Sequence, residues 1–375
     1  MAKNRIYYSG RKTRGNVALV PTIIILALIS LVVVLFYGMQ KYTVITKYGV
    51  DVEAPMLDDG ENTTVDASGN VIKVFDSVNV TLNFKDPDYS SETARAGADA
   101  GEFRAIYVSA DNVTREKLLA YAERLSSGNA LLIEMKPREG NLLWYSDSYI
   151  CRSYGLSSQT DKTIEVEQTI SELKERGVYL AAQISCCVDN LLSSHSVNYS
   201  IRNHIGANFT DDRGSYLDPY NQEVRDYIVE LANELYDMGF DEVVLADVIH
   251  PELEEGKEVY YTTEMSTEQT PVGAVCGFAR YVENKLSDRT GLLSIYTDSA
   301  KSLVKSDDTT GQNAVFFSKI YDRVFYRTDK YTYTYNLSDI EGSITIGNAR
   351  DRFVPVVENY LPDNTSWVYI ETEES

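Results

Sequence analysis

Two acidic side chains lie inside apolar segments of the chain. Asp247 interrupts the run EVVLADVI (242–249), and Glu134 interrupts the run ALLIEMK (130–136). A carboxylate among apolar side chains is unfavourable unless it is paired or lies at a wet edge, so such a residue is a candidate for function. Two carboxylates that face one cleft can divide the acid and the base or nucleophile roles in breaking a glycosidic bond. We therefore predict Asp247 and Glu134 as catalytic residues.

Other polar and aromatic side chains stand at or just after the ends of similar apolar segments. In parallel α/β barrels the working residues occupy the carboxyl ends of the strands. The residues predicted to bind substrate are Tyr107, Lys136, Gln183, Asp189, His250, Tyr296 and Tyr326. Asp298 and Arg327 end two of these segments and are further candidates.

Several of these residues also have a structural interpretation. Glu134 and Lys136 could form an ion pair that seals a barrel mouth, and His250, next to Pro251, could shape a loop. The tyrosines of YRTDKYTYTY (326–335) could stack on sugar rings, or they could fill an interface or the fold. The residues by themselves leave both interpretations open.

The histidines and glycines predict neither a metal site nor a cofactor. His195, His204 and His250 form no short ligand pair with a cysteine, so the spacing gives no zinc site. No Gly-rich phosphate fingerprint follows the first apolar segment and no Walker pattern occurs, which disfavours nucleotide binding.

The four cysteines are too few for a fold built on disulfides. Cys186 and Cys187 are adjacent and would point to opposite faces of an extended strand. With Cys276, they are predicted to be small core residues. A single bridge through Cys151 is the alternative.

Alternating strands and helices must position the candidate side chains. The predicted strands are residues 103–110, 130–136, 178–186, 242–249, 292–298, 323–327, 353–357 and 366–371. The predicted helices are residues 112–128, 163–176, 221–239 and 272–288. Near-continuous apolar strands that alternate with helices indicate a parallel sheet covered on both faces. Eight strands favour an α/β fold of the closed (β/α)8 TIM type over residues 103–375.

A different organisation is predicted for the first hundred residues. Residues 17–37 are free of charge, and the tail 1–16 before them has five Lys and Arg and no acid. Such a run covers the ~30 Å hydrocarbon core as a helix, and the basic flank places the N-terminus in the cytoplasm. We predict a single-pass membrane helix, an extracytoplasmic stalk with a short hairpin over 38–102, and an extracytoplasmic barrel. A cleaved signal peptide is the alternative, but its apolar region is usually about 7–15 residues long.

The charge of the chain limits its partners. Outside the basic tail, 30 Lys and Arg stand against 56 Asp and Glu, a formal charge of −26. Such a surface repels nucleic acid and anionic lipid headgroups. A neutral ligand such as a polysaccharide is compatible with this field.

Three blocks of the sequence resemble a bacterial family of glycoside-hydrolase-like domains related to the α-amylase barrels. The most distinctive block is LDPYNQEVRDYIVELANELYDMGFDEVVLADVIHP (217–251), where the family has Leu-Asp-Pro, a helix and then G-F-D-E-I-Q-F-D-Y-I-R-F-P. VYLAAQISCCVD (178–189) and LLIEMKPREGNLLW (131–144) resemble its third-strand and second-strand motifs. The resemblance covers roughly residues 103–371 and implies a barrel that acts on or binds cell-wall or external polysaccharide.

The departures from the family pattern fall on polar positions. Ala246 stands where the family has Asp, and Asp247 follows one place later, on the other side of a regular pleat. A one-residue bulge could return Asp247 to the cleft. Ile249 and Gln183 replace family arginines. The family residues that this chain retains are Lys136, Asp189, Asp218 and Pro219. Two hypotheses follow: a membrane-anchored glycoside hydrolase, or an inactive barrel that serves as a glycan-binding or surface-assembly module.

The anchor hypothesis makes a direct prediction about topology. A protease added to intact cells should remove the region after residue 38 and leave the N-terminus protected, because the uncharged run holds the tail inside. Immunoblots with tags at either end measure this. A secreted product that begins near Met39 would contradict the anchor.

Overall fold

The computed structural model describes residues 43–46, 49–52, 63–65, 71–73, 100–125, 129–262, 269–328, 352–358, 360–361 and 366–371. The chain divides into two compact units, Met1–Thr81 and Leu82–Ser375. In the first unit, Thr43–Thr46 pairs antiparallel with Gly49–Val52, and Thr63–Val65 pairs antiparallel with Val71–Lys73. The predicted membrane helix, residues 17–37, lies outside the described residues.

Eight parallel strands of the second unit close into a barrel. They are β1 (Arg104–Val108), β2 (Asn129–Lys136), β3 (Tyr179–Ser185), β4 (Glu242–Ala246), β5 (Leu292–Thr297), β6 (Val324–Arg327), β7 (Phe353–Glu358) and β8 (Trp367–Ile370). Each strand pairs in parallel with its sequence neighbours, and β8 pairs with β1 to complete the ring. The prediction of a closed eight-stranded α/β barrel is confirmed.

The described helices of this unit are α1 (Arg115–Arg124), α2 (Tyr149–Tyr154), α3 (Asp161–Glu175), α4 (Asn190–His195), α5 (Gln222–Met238), α6 (Pro271–Leu286) and α7 (Ala314–Ile320). Side-chain caps fix where the longer helices begin: Asn221 accepts from the amide of Glu223 at 2.9 Å at the start of α5. Gly239, with φ +109°, ends that helix in the left-handed region. The helices predicted from periodicity are present, whereas the short helices α2, α4 and α7 were not predicted.

The core has two layers because side chains alternate along each strand. One set packs outward against the helices, as Val243 and Leu245 do with Leu231 of α5. The other set fills the barrel interior and includes Leu132, Val244, Phe325 and Val354. All four cysteines are buried thiols of the outer layer and form no disulfide with one another, as the core interpretation predicted.

A buried ion pair occupies the interior at the amino ends of the strands. Glu242 and Arg323 are bound to each other, and neither is more than 1% exposed. Glu242 also accepts hydrogen bonds from Tyr179 Oη at 2.9 Å and Ser294 Oγ at 2.5 Å. The guanidinium lies 4.9 Å from the ring centre of Phe103. This cluster fills the end of the barrel opposite the cleft described below.

Within the described part of the chain, no helix combines the length and the apolar composition that crossing a bilayer requires. In the same residues, His, Cys, Asp and Glu side chains form no group that could hold a metal ion.

Gly140, in the loop after β2, is required by close packing. Its φ is +91°, and an added Cβ would lie 2.1 Å from Asp189 Oδ1. Gly140→Ala should lower the free energy of unfolding by about 3 kcal/mol or more, since backbone strain and a buried clash add together. Gly177→Ala is the matched control, because Gly177 has φ +77° and open space around it. It should cost only about 1 kcal/mol. Equal losses in denaturant unfolding would contradict the packing argument.

Candidate active site

The carboxyl ends of the barrel strands surround a cleft of about 710 Å³. Each strand contributes one inward-facing residue to its floor and walls. From β1 to β8 these residues are Tyr107, Glu134, Gln183, Ala246, Tyr296, Arg327, Val356 and Ile370. Loops that follow the strands add Asp111, Arg138, Glu139, Asp247 and Asp298. The cleft is therefore polar and acidic above an apolar interior.

Asp247 enters the cleft through an unusual backbone conformation. Its φ is +52°, and it is the one non-glycine residue with positive φ among the residues described. Strand β4 ends at Ala246, whose side chain faces inward, so a continued strand would turn Asp247 outward. The left-handed conformation redirects the side chain, and both residues line the cleft. A left-handed turn, and not a β-bulge, thus brings Asp247 to the cleft, and it ends β4 three residues before the predicted boundary.

Three hydrogen bonds hold the Asp247 carboxylate. Arg138, from the loop after β2, donates from Nε at 2.9 Å and from Nη2 at 2.6 Å to Oδ1. Ser185, at the end of β3, has its Oγ 2.8 Å from Oδ2. Only 6% of the Asp247 side chain is exposed, against 40% for Arg138. Positive charge is therefore fixed against one oxygen of the carboxylate at the wet edge of the barrel.

Glu134 lies in the same cleft with a different environment. The amide of Ala110 donates to its Oε2 at 3.0 Å, and the Tyr107 hydroxyl is also hydrogen-bonded to it. Burial raises the pKa of Glu134, and the charges of Glu139 and Asp247 raise it further, while the two hydrogen bonds oppose the rise. The net pKa is above the ordinary value. A carboxyl group that retains its proton to higher pH is suited to general-acid catalysis.

Asp298 is a third carboxylate of the cleft, just beyond β5. Arg213 donates from Nη1 to its Oδ2 at 3.0 Å. Burial raises the pKa of Asp298, and the charge of Asp247 adds to the rise. The electrostatic influence of Asp247 therefore reaches both of the other carboxyl groups, Glu134 and Asp298.

Lys136 and Asp189 lie behind the barrel wall, although they were predicted to bind substrate. A bulge between Glu134 and Lys136 shifts the register of β2, so that Lys136 faces the outer layer beside Ile184. Its Nζ lies 2.8 Å from Asp189 Oδ2 and donates to the carbonyl of Ser185 at 2.7 Å. Both side chains are fully buried. Their geometry is that of a structural ion pair, and the alternative pair of Glu134 with Lys136 does not form.

His250 and Tyr326 also lie away from the cleft. His250 is buried beneath its loop, packed 6.0 Å from the ring of Tyr261, and burial lowers its pKa to about 4. Tyr326 points outward from β6 and packs 6.2 Å from the ring of Phe353. The remaining tyrosines of the predicted stripe, residues 329–335, lie outside the described part of the chain.

The residues that sequence reasoning missed are the cationic partners. Arg138 occurs in a charged loop where its type is unremarkable, and Arg213 lies at the tip of a small hairpin, Thr210–Asp211 with Gly214–Ser215. Arg138 lies just beyond the end of β2, whereas Arg213 is far from the ends of the barrel strands. Only the packing of loops from β2 and β3 across the barrel brings these residues to Asp247 and Asp298.

The closed parallel barrel, with its polar residues gathered at the carboxyl ends of the strands, is a (β/α)8 barrel of the TIM type. The chain belongs to the family described as "Putative glycosyl hydrolase domain", whose profile matches residues 105–327.

The chain is similar to several solved structures. The glycoside hydrolase domain of PgaB (BpsB) from Bordetella bronchiseptica is 12% identical, with a TM-score of 0.51, over 71% of this chain and 93% of that one. A hypothetical protein from Ruminiclostridium thermocellum ATCC 27405 is 21% identical, with a TM-score of 0.43, over 51% of this chain and 96% of that one. No curated protein matches the chain. At 12% identity the likeness to the Bordetella domain shows the fold alone.

The raised pKa of Glu134 predicts a pH-dependent effect on stability. Ionising the folded-state carboxyl group is disfavoured, so wild-type stability is lost as pH rises from the unfolded pKa through the raised folded pKa. Glu134→Gln does not titrate and should unfold at a higher temperature than wild type at pH 7, with a smaller difference at pH 4. Glu116→Gln, on the exposed face of α1, is the control. A pH-independent difference for Glu134→Gln would contradict the assignment.

Proposed function

We propose that this barrel is a glycoside hydrolase in which Asp247 and Glu134 are the working pair. The left-handed conformation of Asp247 carries the proposal, because it brings a second functional carboxylate into the cleft of Glu134. Backbone strain of this kind, in a non-glycine residue, concentrates at functional sites. A residue with no role could remain in the strand and face the helix layer without that strain.

The environments of the two carboxyl groups suggest their roles. Glu134, with its raised pKa, donates a proton to the glycosidic oxygen as the bond to the leaving sugar breaks. Asp247, bound by Arg138 and Ser185, either attacks the anomeric carbon or takes a proton from an attacking water. Asp298, bound by Arg213, is a third carboxyl group of the same cleft.

The cleft fits an uncharged or weakly charged polysaccharide. Tyr107 and Tyr296 present aromatic side chains among the carboxylates, and rings of this kind pack against the apolar faces of sugars. The formal charge of −26 outside the basic tail repels polyanions. The uncharged run over residues 17–37 supports a membrane anchor with the barrel outside the cytoplasm. In that location the enzyme would act on cell-wall or external glycan.

One observation favours a second candidate function, a glycan-binding barrel without turnover. Ala246 occupies the inward strand position where related sequences are expected to have Asp, so the site differs from theirs at its centre. Polar residues remain around it, however, and Asp247 faces the same space. The two candidates differ in turnover and not in binding.

Substitution of the working pair tests the proposal. Asp247→Asn and Glu134→Gln should each lower turnover of a susceptible glycan by a factor of roughly a hundred or more, because each group acts mainly in the transition state. Reducing-end release from a panel of wall and plant glycans measures turnover, and circular dichroism checks the fold. Glu116→Gln, remote on α1, is the control. Wild type that binds a glycan of the panel without releasing reducing ends would support the second candidate.

The pH profile assigns the acid. A general acid must be protonated, so the rate should fall as pH rises through the pKa of Glu134. The Tyr107 hydrogen bond lowers that pKa, and Tyr107→Phe should therefore move the falling limb to higher pH. A limb that stays in place would show that another group, such as Asp298, supplies the proton.

A further inference from the structure

One buried amide joins the ends of strands β4 and β5. Gln312 is fully buried, and its Oε1 accepts hydrogen bonds from the amides of Asp298 and Ser299 and from Thr297 Oγ1, each at 3.0 Å. Its Nε2 donates to the carbonyl of Val248 at 3.1 Å. Three donors surround one end and a carbonyl faces the other, so the orientation of the amide is determined by its neighbours.

Each of these contacts is to Asp298 itself or to a residue adjacent in sequence to Asp247 or Asp298. Val248 follows Asp247 directly, and the Asp298 amide belongs to the residue whose carboxylate meets Arg213. The side chain of Gln312 therefore spans the gap between the two carboxylate-bearing turns from behind, without lining the cleft.

The segment that holds Gln312 is itself fixed in place. Asp307 accepts from Ser299 Oγ at 2.5 Å and from Thr310 Oγ1 at 3.0 Å. The carbonyl of Thr310 accepts from the amide of His250 at 2.9 Å, a second link between the two loops. Gly311, with φ +75°, lies so close to Pro271 that a Cβ would meet its carbonyl oxygen at 2.1 Å. The brace is built into packed backbone, which limits how far either turn can move.

We propose that Gln312 is a positioning residue that sets the spacing of Asp247 and Asp298, and thereby the geometry of the cleft. The expected effect on turnover rests on the proposed function, whereas the expected effect on the spacing of Asp247 and Asp298 does not. Val248 is forced into the brace because Asp247 turns the chain out of the strand, so the following residue needs a new partner for its carbonyl group. Gln312 supplies that partner and ties it to the next strand.

Hydrogen exchange of the full chain tests the brace without any substrate. Gln312→Met has a similar length but provides neither acceptor nor donor. It should speed exchange of the Asp298 and Ser299 amides by roughly tenfold or more each, since each loses its acceptor. Gln312→Asn keeps an amide that is one methylene too short to span both turns. Gln312→Asn should speed exchange of the same two amides, and it replaces Gln312→Met in the experiment if that variant fails to fold.

Asn313→Ala is the matched control. Asn313 is the adjacent buried amide, and it bonds only to the amide of Phe316 and to Ser306 Oγ, both remote from the cleft. It should speed exchange at Phe316 and leave Asp298 unchanged. With a hydrolysed glycan, Gln312→Met should lower kcat by roughly tenfold to a hundredfold and shift the pH profile, because a small misplacement of working groups has effects of this size. Asn313→Ala should leave both kcat and the pH profile unchanged, even if it lowers Tm by a comparable amount.

The outcomes separate the two proposals. Unchanged exchange at Asp298 and Ser299 in a folded Gln312 variant overturns the brace, whether or not the wild type hydrolyses glycan. Faster exchange with unaltered kcat and pH profile overturns the positioning role and leaves the hydrolase proposal standing. Faster exchange in a protein that hydrolyses nothing supports the brace and counts against the hydrolase.

Discussion

The alternation of side chains in a closed parallel barrel is the constraint on which the site depends. Every second residue of each strand must face inward, so the interior is filled in layers, and a polar layer is tolerated only where its groups are paired or reach water. Here the lowest layer holds the ion pair of Glu242 with Arg323, and the next holds apolar residues such as Val244 and Phe325. This filled interior forms a firm floor for the cleft. Glu134 and Tyr107 then occupy the same positions of the pattern one layer higher, where water can reach them.

Asp247 is the point at which the chain departs from that pattern. A left-handed backbone costs most non-glycine residues roughly 1–2 kcal/mol, and Asp adopts it more readily than most because its short side chain can hydrogen-bond locally. The hydrogen bonds from Arg138 and Ser185 offset this strain, and the amide of Cys187 donates to the Asp247 carbonyl at 3.0 Å. The local backbone is therefore held by its surroundings on three sides. The strained residue is the one that supplies the cleft carboxylate, and hydrogen bonds from the end of β3 and from the loops after β2 and β3 stabilise it.

The loops after β3, β4 and β5 act together as one wall of the cleft. Asp218, fully buried, accepts hydrogen bonds from the amide and hydroxyl of Thr262, each at 2.6 Å, and so ties the β3 loop to the β4 loop. Gln312 ties the β4 loop to the β5 loop through Val248. Buried polar contacts of this kind rigidify a structure when every member is satisfied. The wall can therefore hold Asp247 and Asp298 in a fixed relation while the cleft remains open.

The sequence by itself determined the barrel and part of its site. Strand and helix periodicities are local, so they gave the eight strands, the long helices and the buried cysteines, and strand-end positions identified Glu134, Tyr107, Gln183 and Tyr296 in the cleft. Tertiary structure decided the rest, because a one-residue change of backbone geometry reverses the face of a side chain. A bulge in β2 turned Lys136 away from the cleft, and a left-handed turn after β4 brought Asp247 into it. Arg213 reaches Asp298, and Gln312 reaches the turns behind the cleft, only because loops distant in sequence pack together, and no local pattern marks such long-range contacts.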